Sequence, residues 1–467
     1  MKSRINLIDY LTTLDWIIFS SVLLLTLCAI IYGHTRSKRQ NGENFIDYIL
    51  MGRQLTLPLF VATLVATWYG GIFGVTEISF NYGIYNFITQ GVFWYITYIL
   101  FALFLVKKIR PYHAVTLPDL VLKMFGPRSA KISAIFNFFN VVPISYCIGL
   151  GIFMQAIFGG HLVLNMCIGT FFILLYSIIG GFRAVVFSDL IQFFVMCFGV
   201  VFVVIFSIHE FGGVTFLKAN LPATHFSPTG GNSISTLFVW GLIALSTLVD
   251  PNFYQRCFAA KNQKVARNGI IISTIVWFFF DICTTLGGMY AKAVIPEASS
   301  SQAYLTYAVQ ILPSGLRGFV LAGILATVAS TFDSYVFLAG TTLTHDILPR
   351  KWHQSKLVHH LCVVFVAIIA IFLALSFEGN IKNVWKTLGS YSSACLLFPM
   401  VLGHLIPGKI RDADFLLSCI GSAIATTYWR NTEHQGFYAN IDEIYIGLIC
   451  SCVIIGMTQI QQRFTKR

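Results

Sequence analysis

"ATWYGGIFG", residues Ala66 to Gly74, sits near the middle of an apolar run spanning 56–81. Glycine loses more backbone freedom on ordering than any other residue, so Gly70, Gly71 and Gly74 together weaken a helix at this point. A second run, 234–256, carries "LVDPNFYQR" (Leu248 to Arg256), with Pro251 well inside it. Proline removes a backbone donor and clashes with the preceding turn. In hydrocarbon, freed backbone groups are tolerated only where protein or a water-filled cavity satisfies them. The second interrupted run lies five runs after the first. Breaks at matching positions of two five-helix units point to an inverted-repeat transporter with its site near the bilayer midplane. Two ordinary kinked helices are the plainer reading, and this pattern alone leaves both open.

The rest of the chain supports a membrane setting. Of 467 residues, 56% are hydrophobic and 11% charged, against about 25% charged in soluble domains. Apolar runs long enough to cross a bilayer as helices recur at 12–33, 56–81, 86–106, 132–158, 161–180, 184–207, 234–256, 268–291, 317–343, 357–377, 384–405, 414–429 and 442–460. The expected fold class is an all-α membrane protein of about thirteen transmembrane helices. The first run is too long for a cleavable signal, and Asp15 interrupts its start, so it is expected to be retained.

The formal charge of +12 reflects topology. If the loop after the first run is cytoplasmic, 23 of the 31 Lys and Arg fall on the cytoplasmic side. That bias places the N-terminus outside and the C-terminus inside. No basic module suited to nucleic acid stands out, and no stretch between runs is long enough for a soluble domain; the longest exterior loops are about 208–233 and 292–316. The eleven cysteines form no C-x-x-C pair and read as small hydrophobes within helices. The histidines fall mostly in loops or near run ends. No metalloprotease, phosphate-loop, nucleophile-elbow or dinucleotide motif appears, so no enzyme and no organic cofactor are expected.

Polar residues inside the runs carry the functional argument. In "GILATVASTFDSYVF" (Gly323 to Phe337), Thr327, Ser330, Thr331 and Ser334 fall at i, i+3, i+4 and i+7, one narrow stripe of a helix. Hydroxyls and freed carbonyls suit a hard monovalent cation. The same residues in membrane helices also bond back to their own backbone, and the stripe alone leaves both readings open. Asp333 lies about 60° around the helix from Ser330. A carboxylate there costs roughly 2.5–3.5 kcal/mol on insertion scales, so it is a functional-site hypothesis by default. Asp189, within "FRAVVFSDLIQFF", and Asp250, beside the second break, share that status. Glu77 and Asp281 also lie within runs, with no evident partner in the sequence.

Four segments resemble the sodium:solute symporter family. "GGFRAVVFSDLIQFF" (Gly180 to Phe194) resembles its signature, and "ILATVASTFDS" resembles its Ser-Thr helix. "MGRQLTLPLFVATLVATWYGG" resembles its broken first core helix, and "YQRCFAAKNQKVARNG" the Gln-Arg segment closing its sixth. Order and spacing match from about residue 50 to 410. "ATWYGG", Glu77 and the Asp of "STFDS" look most like the choline-transporter branch.

The resemblance implies a LeuT-like fold: a leading helix at 12–33, inverted five-helix repeats at 56–207 and 234–405, and two C-terminal helices at 414–460, forming one transporter domain over 1–467. It implies a sodium site built from the carbonyls of Ala66, Tyr69 and Thr327 and the hydroxyls of Ser330 and Thr331. It implies a second sodium or proton site at Asp189, Asp333 and Ser334. The solute is expected at the breaks, lined by Trp68, Gly71, Phe73, Tyr146, Asp250 and Phe253. An aromatic cage with a carboxylate suits an organic cation or zwitterion through cation–π contact. Asp250 stands where the choline branch carries an aromatic. The expected partners are a small solute, sodium as coupling ion and the lipid bilayer of the cell membrane. A proton-coupled symporter of the same fold, a passive facilitator and a solute-sensing receptor are the alternatives.

Overall fold

The computed structural model describes residues 7–39, 45–178, 180–435, 438 and 441–465. Residues 40–44 of the first loop, Ile179 of the run at 161–180, and the basic residues Lys466 and Arg467 of the tail lie outside the described residues. The described residues are predominantly helical. No strand forms among them, and a single parallel bridge pairs Leu55 with Ala260.

A helix occupies each of the thirteen expected runs: α1 Thr13–Arg39, α2 Leu57–Tyr82, α3 Phe87–Tyr112, α4 Pro127–Phe158, α5 Leu162–Ser177, α6 Gly181–Phe211, α7 Ile234–Ala259, α8 Gln263–Val294, α9 Leu316–Ile347, α10 Lys356–Ser376, α11 Ile381–Leu405, α12 Asp412–Arg430 and α13 Glu443–Thr465. Eleven are long and apolar enough to cross a membrane; α5, with 16 residues, and α12 are the two that are not. A short helix, Ala303–Ile311, lies between α8 and α9.

The packing follows from composition. α9 is small and apolar along most of its length, and its residues from Val320 to Thr341 are almost all buried. α6 packs against α9 and α1, while α2 lies against α6, α8 and α9. Large apolar side chains such as Leu24, Phe172, Phe198, Phe279 and Phe372 stay exposed on the outer helices. A surface of that kind suits contact with lipid. Asp15, noticed in the sequence as an interruption, fastens the outermost helix to the core. Its carboxylate accepts from the Gly315 and Gly318 amides at 2.7 and 3.1 Å, at the start of α9. Free amides at a helix N-terminus favour such an anion.

Both breaks form where the sequence places them. α2 is an α-helix over Leu57–Trp68, a single 3-10 turn at Tyr69–Gly71, and an α-helix again over Ile72–Tyr82. Gly70 is required by close approach: a methyl group there would lie 2.6 Å from both Thr331 Oγ1 and Tyr146 Cδ1. In α7 the α-helix stops at Ala244, and a 3-10 stretch covers Leu245–Val249. Asp250 is extended (φ −81°, ψ 118°), as a residue before proline prefers. Pro251 then opens the second half as its first residue, where the missing N–H costs nothing. Asp250 caps that half, accepting from the Asn252 N–H at 2.8 Å.

Candidate functional site

The α2 break meets α9 at the expected hydroxyl stripe. Ser330 Oγ donates to the Ala66 carbonyl at 2.8 Å and the Thr327 carbonyl at 3.2 Å. Thr331 Oγ1 donates to the same two carbonyls at 3.2 and 2.9 Å. Four of the five oxygens expected to hold sodium therefore converge, all on residues 0–1% exposed. Hydroxyl-to-own-backbone bonding is present too, since Thr327 is on the same helix. The bonds to Ala66 go beyond it, because they cross to another helix and satisfy a carbonyl at the break. The Thr327 hydroxyl turns to its own helix, bonding Ile324 O at 2.6 Å. The Tyr69 carbonyl accepts the Ile72 N–H within the 3-10 turn, while the Tyr69 side chain faces the cavity described below.

A second cluster lies one turn away. Asp189 Oδ2 accepts from Thr63 Oγ1 at 2.5 Å and Thr67 Oγ1 at 3.4 Å. The cation facing it is Arg256, from the second half of α7, with Nη2 3.9 Å from Asp189 Oδ2 and no exposed surface. The same Nη2 donates to Thr67 at 2.6 Å, and to Thr63 and Ser334 at 3.1 Å. Its Nη1 donates to Asn252 Oδ1. Ser334 thus joins the arginine cluster, also bonding Thr67 at 3.0 Å. The sequence analysis gives Arg256 no such role. The available signal was the Gln-Arg pair so soon after Pro251. Asp333 is 3% exposed and keeps one buried carboxylate oxygen, Oδ1, without a partner.

Between the two breaks lies a cavity of about 140 Å³. Trp68, Gly71, Tyr146 and Asp250, four of the six residues expected at the solute site, line it. Phe73 and Phe253 do not. Phe253 is fully buried behind the wall, its ring 5.1 Å from Trp68 and 5.3 Å from Tyr98. Phe73 follows the break and turns into the core at 3% exposure. The sequence reading also missed Trp277 on α8, Trp385 on α11, Tyr335 on α9 and Tyr95 on α3, all of which line the cavity. They come from distant parts of the chain, and no local spacing announces them. Of the two carboxylates without an evident partner in the sequence, Asp281 lines the cavity and accepts a hydrogen bond from Tyr95. Glu77 pairs instead with Lys382 at 3.2 Å.

A broken-helix pair enclosing a cavity, with converging oxygens beside it, defines a secondary transporter of the LeuT-like class. Solved structures agree: a sodium-coupled sialic acid symporter in a substrate-bound outward-open state covers 96% of this chain and 98% of its own, with TM-score 0.78 at 18% identity. The nucleobase-cation-symport transporter Mhp1 covers 88% of this chain and 94% of its own, with TM-score 0.59 at 12% identity. The chain matches the sodium:solute symporter family over residues 48–406 and belongs to it. Its relatives include the sodium/pantothenate symporter of Escherichia coli (strain K12), 25% identical over 92% of this chain and 95% of the relative. A sodium/proline symporter of Staphylococcus aureus (strain JH9) is 24% identical over 97% of this chain and 94% of the relative. The protein is a membrane transporter of the sodium-coupled symporter class, not an enzyme.

Proposed function

We propose that this protein carries a small organic solute into the cell together with sodium, by alternating access. The observation that carries the reading is the convergence of Ser330 and Thr331 on the Ala66 and Thr327 carbonyls at the α2 break. With the Tyr69 carbonyl, these oxygens form the sodium site. The cavity between the breaks is the solute site, with Trp68, Gly71, Tyr146 and Asp250 in its wall. The two five-helix units span 56–207 and 234–405, with α1 leading and α12 and α13 following. The solute class is an organic cation, amino acid or other zwitterion, the choline-like character of "ATWYGG" and "STFDS" favouring a cationic group.

At the second cluster, Arg256 serves as a built-in counter-cation for Asp189. Asp333 is then the carboxylate in this part of the core that a second sodium ion or a proton would neutralise. The excess of Lys and Arg on one side supports an external N-terminus and a cytoplasmic C-terminus. Uptake into proteoliposomes tests the whole reading. A sodium gradient should drive accumulation. Uptake that proceeds equally with potassium in place of sodium, and collapses with an imposed proton gradient removed, would replace sodium by protons. Uptake that only equilibrates would make the protein a facilitator.

A further inference from the structure

The walls of the solute cavity contain two carboxylates, Asp250 and Asp281, and no Lys, Arg or His. Arg256, the buried base next to this region, is committed to Asn252, Thr63, Thr67 and Ser334 and stands beside Asp189. The cavity wall itself therefore carries acidic side chains and no basic one. The two carboxylates are also unequal. Asp250 has both oxygens engaged, Oδ1 by the Asn252 amide at 2.8 Å and Oδ2 by Tyr335 at 3.5 Å. Asp281 has Oδ2 engaged by Tyr95, but its Oδ1 is buried with no hydrogen-bond partner, on a residue 2% exposed. A buried acceptor without a donor is costly, and a charged one more so. Such an atom, on a residue that lines the cavity, is left unsatisfied without a further donor. Trp68 and Trp277 line the same cavity with ring centroids 6.2 Å apart, and aromatic rings of this kind attract a cation.

We infer that the solute is an amine cation bearing N–H bonds, and that Asp281 selects it by accepting one of them at Oδ1. Asp250 supplies the second negative charge and the aromatic wall takes the alkyl part. This inference rests on the cavity being the solute site of a sodium symporter and sharpens that reading. A quaternary ammonium keeps the charge and the cation–π contact but has no N–H, so it leaves Asp281 Oδ1 unpartnered.

Butylammonium and tetramethylammonium are isomers, alike in charge and atom count and different in that one feature. Thermal stabilisation of the purified protein in sodium chloride, titrated with each, and with proline, pantothenate and glucose, tests the inference. Butylammonium should stabilise at a concentration roughly 10- to 100-fold below tetramethylammonium, the ratio expected for one hydrogen bond to a charged group. Equal or better binding of tetramethylammonium would overturn the proposal. So would stabilisation by proline, pantothenate or glucose with neither cation effective. Asp281→Asn keeps side-chain volume and an acceptor for Tyr95, and should abolish the preference between the isomers. A preference unchanged in Asp281→Asn would also overturn it. The wild-type ranking alone decides the matter if that variant fails to fold. Absence of stabilisation by sodium, with the amine ranking intact, would fault the sodium site and leave the amine assignment standing.

Discussion

Removing one hydroxyl from α9 separates ion binding from folding. In Ser330→Ala, the Ala66 and Thr327 carbonyls each lose one donor and keep another, because Thr331 Oγ1 reaches both at 3.2 and 2.9 Å. In Thr331→Ala, Ser330 Oγ keeps them at 2.8 and 3.2 Å. The fold should therefore lose only about 0.5–1.5 kcal/mol, the net value of an ordinary hydrogen bond. A bound sodium ion has no such redundancy, since each hydroxyl is one of five proposed ligands. A lost ligand worth about 1–2 kcal/mol raises the half-saturating sodium concentration roughly 5- to 30-fold. The double variant leaves both buried carbonyls without a side-chain donor, so its stability loss should exceed the sum of the singles. Sodium titrations of uptake and of thermal stabilisation measure both effects. Wild-type sodium midpoints in both single variants would refute the assignment. So would a double variant whose stability loss is merely additive, because the two hydroxyls would then not share the carbonyls.

Four further outcomes follow from the same geometry. Gly70→Ala places a methyl group against Thr331 and Tyr146, so it should abolish uptake and lower the melting temperature through overpacking of about 1–3 kcal/mol. Arg256→Gln strands the buried Asp189 and should cost about 3–5 kcal/mol, while adding Asp189→Asn should recover part of that loss in melting temperature. Asp15→Ala removes acceptors from two amides at the head of α9 and should lower stability by about 2–4 kcal/mol without changing the sodium midpoint of the folded fraction. Asp333→Ser should leave uptake active with weaker sodium dependence, and its effect should be non-additive with Asp189→Asn, as expected of two carboxylates proposed for one second ion site. Strict additivity would make Asp333 a structural residue.

The helices were legible because hydrocarbon demands long apolar runs, and the breaks because glycine clusters and a buried proline have few other uses at that depth. Helix starts were less so. α8 begins at Gln263, where Asn262 caps it through the Val265 amide, while apolarity alone begins at 268. Hydropathy marks the bilayer, and caps mark the helix. The hydroxyl residues Thr327, Ser330, Thr331 and Ser334 were readable as a stripe because helical spacing places them on one face. The solute cavity was only partly readable. Phe73 and Phe253 neighbour the breaks in sequence, but helical turn directs them into the core. Asp281 gains its meaning from Tyr95, 186 positions away, and no local pattern shows that pairing. Arg256 closes the apolar run in sequence, where nothing marks it as a core residue, yet it is fully buried because the helix restarts at Pro251.

The short turn Tyr69–Gly71 gives coupling a physical path. Its Gly70 packs on Thr331, and the preceding Ala66 carbonyl binds the two α9 hydroxyls. Its other members, Tyr69 and Gly71, line the cavity between the breaks together with Trp68. One turn of backbone thus belongs to both proposed sites. An ion that fixes Ala66 against α9 fixes the cavity wall, and a solute that presses on the wall improves the ion site. Such coupling is reciprocal: whatever factor sodium adds to solute affinity, the solute must add to sodium affinity. The energetic benefit depends on the solute's charge. One sodium ion falling through 100 mV and a tenfold gradient supplies about 3.7 kcal/mol, which sustains roughly 500-fold accumulation of a neutral solute. A monovalent amine cation adds its own fall through the potential, about 2.3 kcal/mol more, for roughly 20,000-fold. Inward current per solute should accordingly be two charges for an amine carried with one sodium ion. A measured ratio of one charge per amine would mean that a cation leaves as the amine enters, or that the amine crosses neutral. Either result would contradict import of an amine cation with one sodium ion.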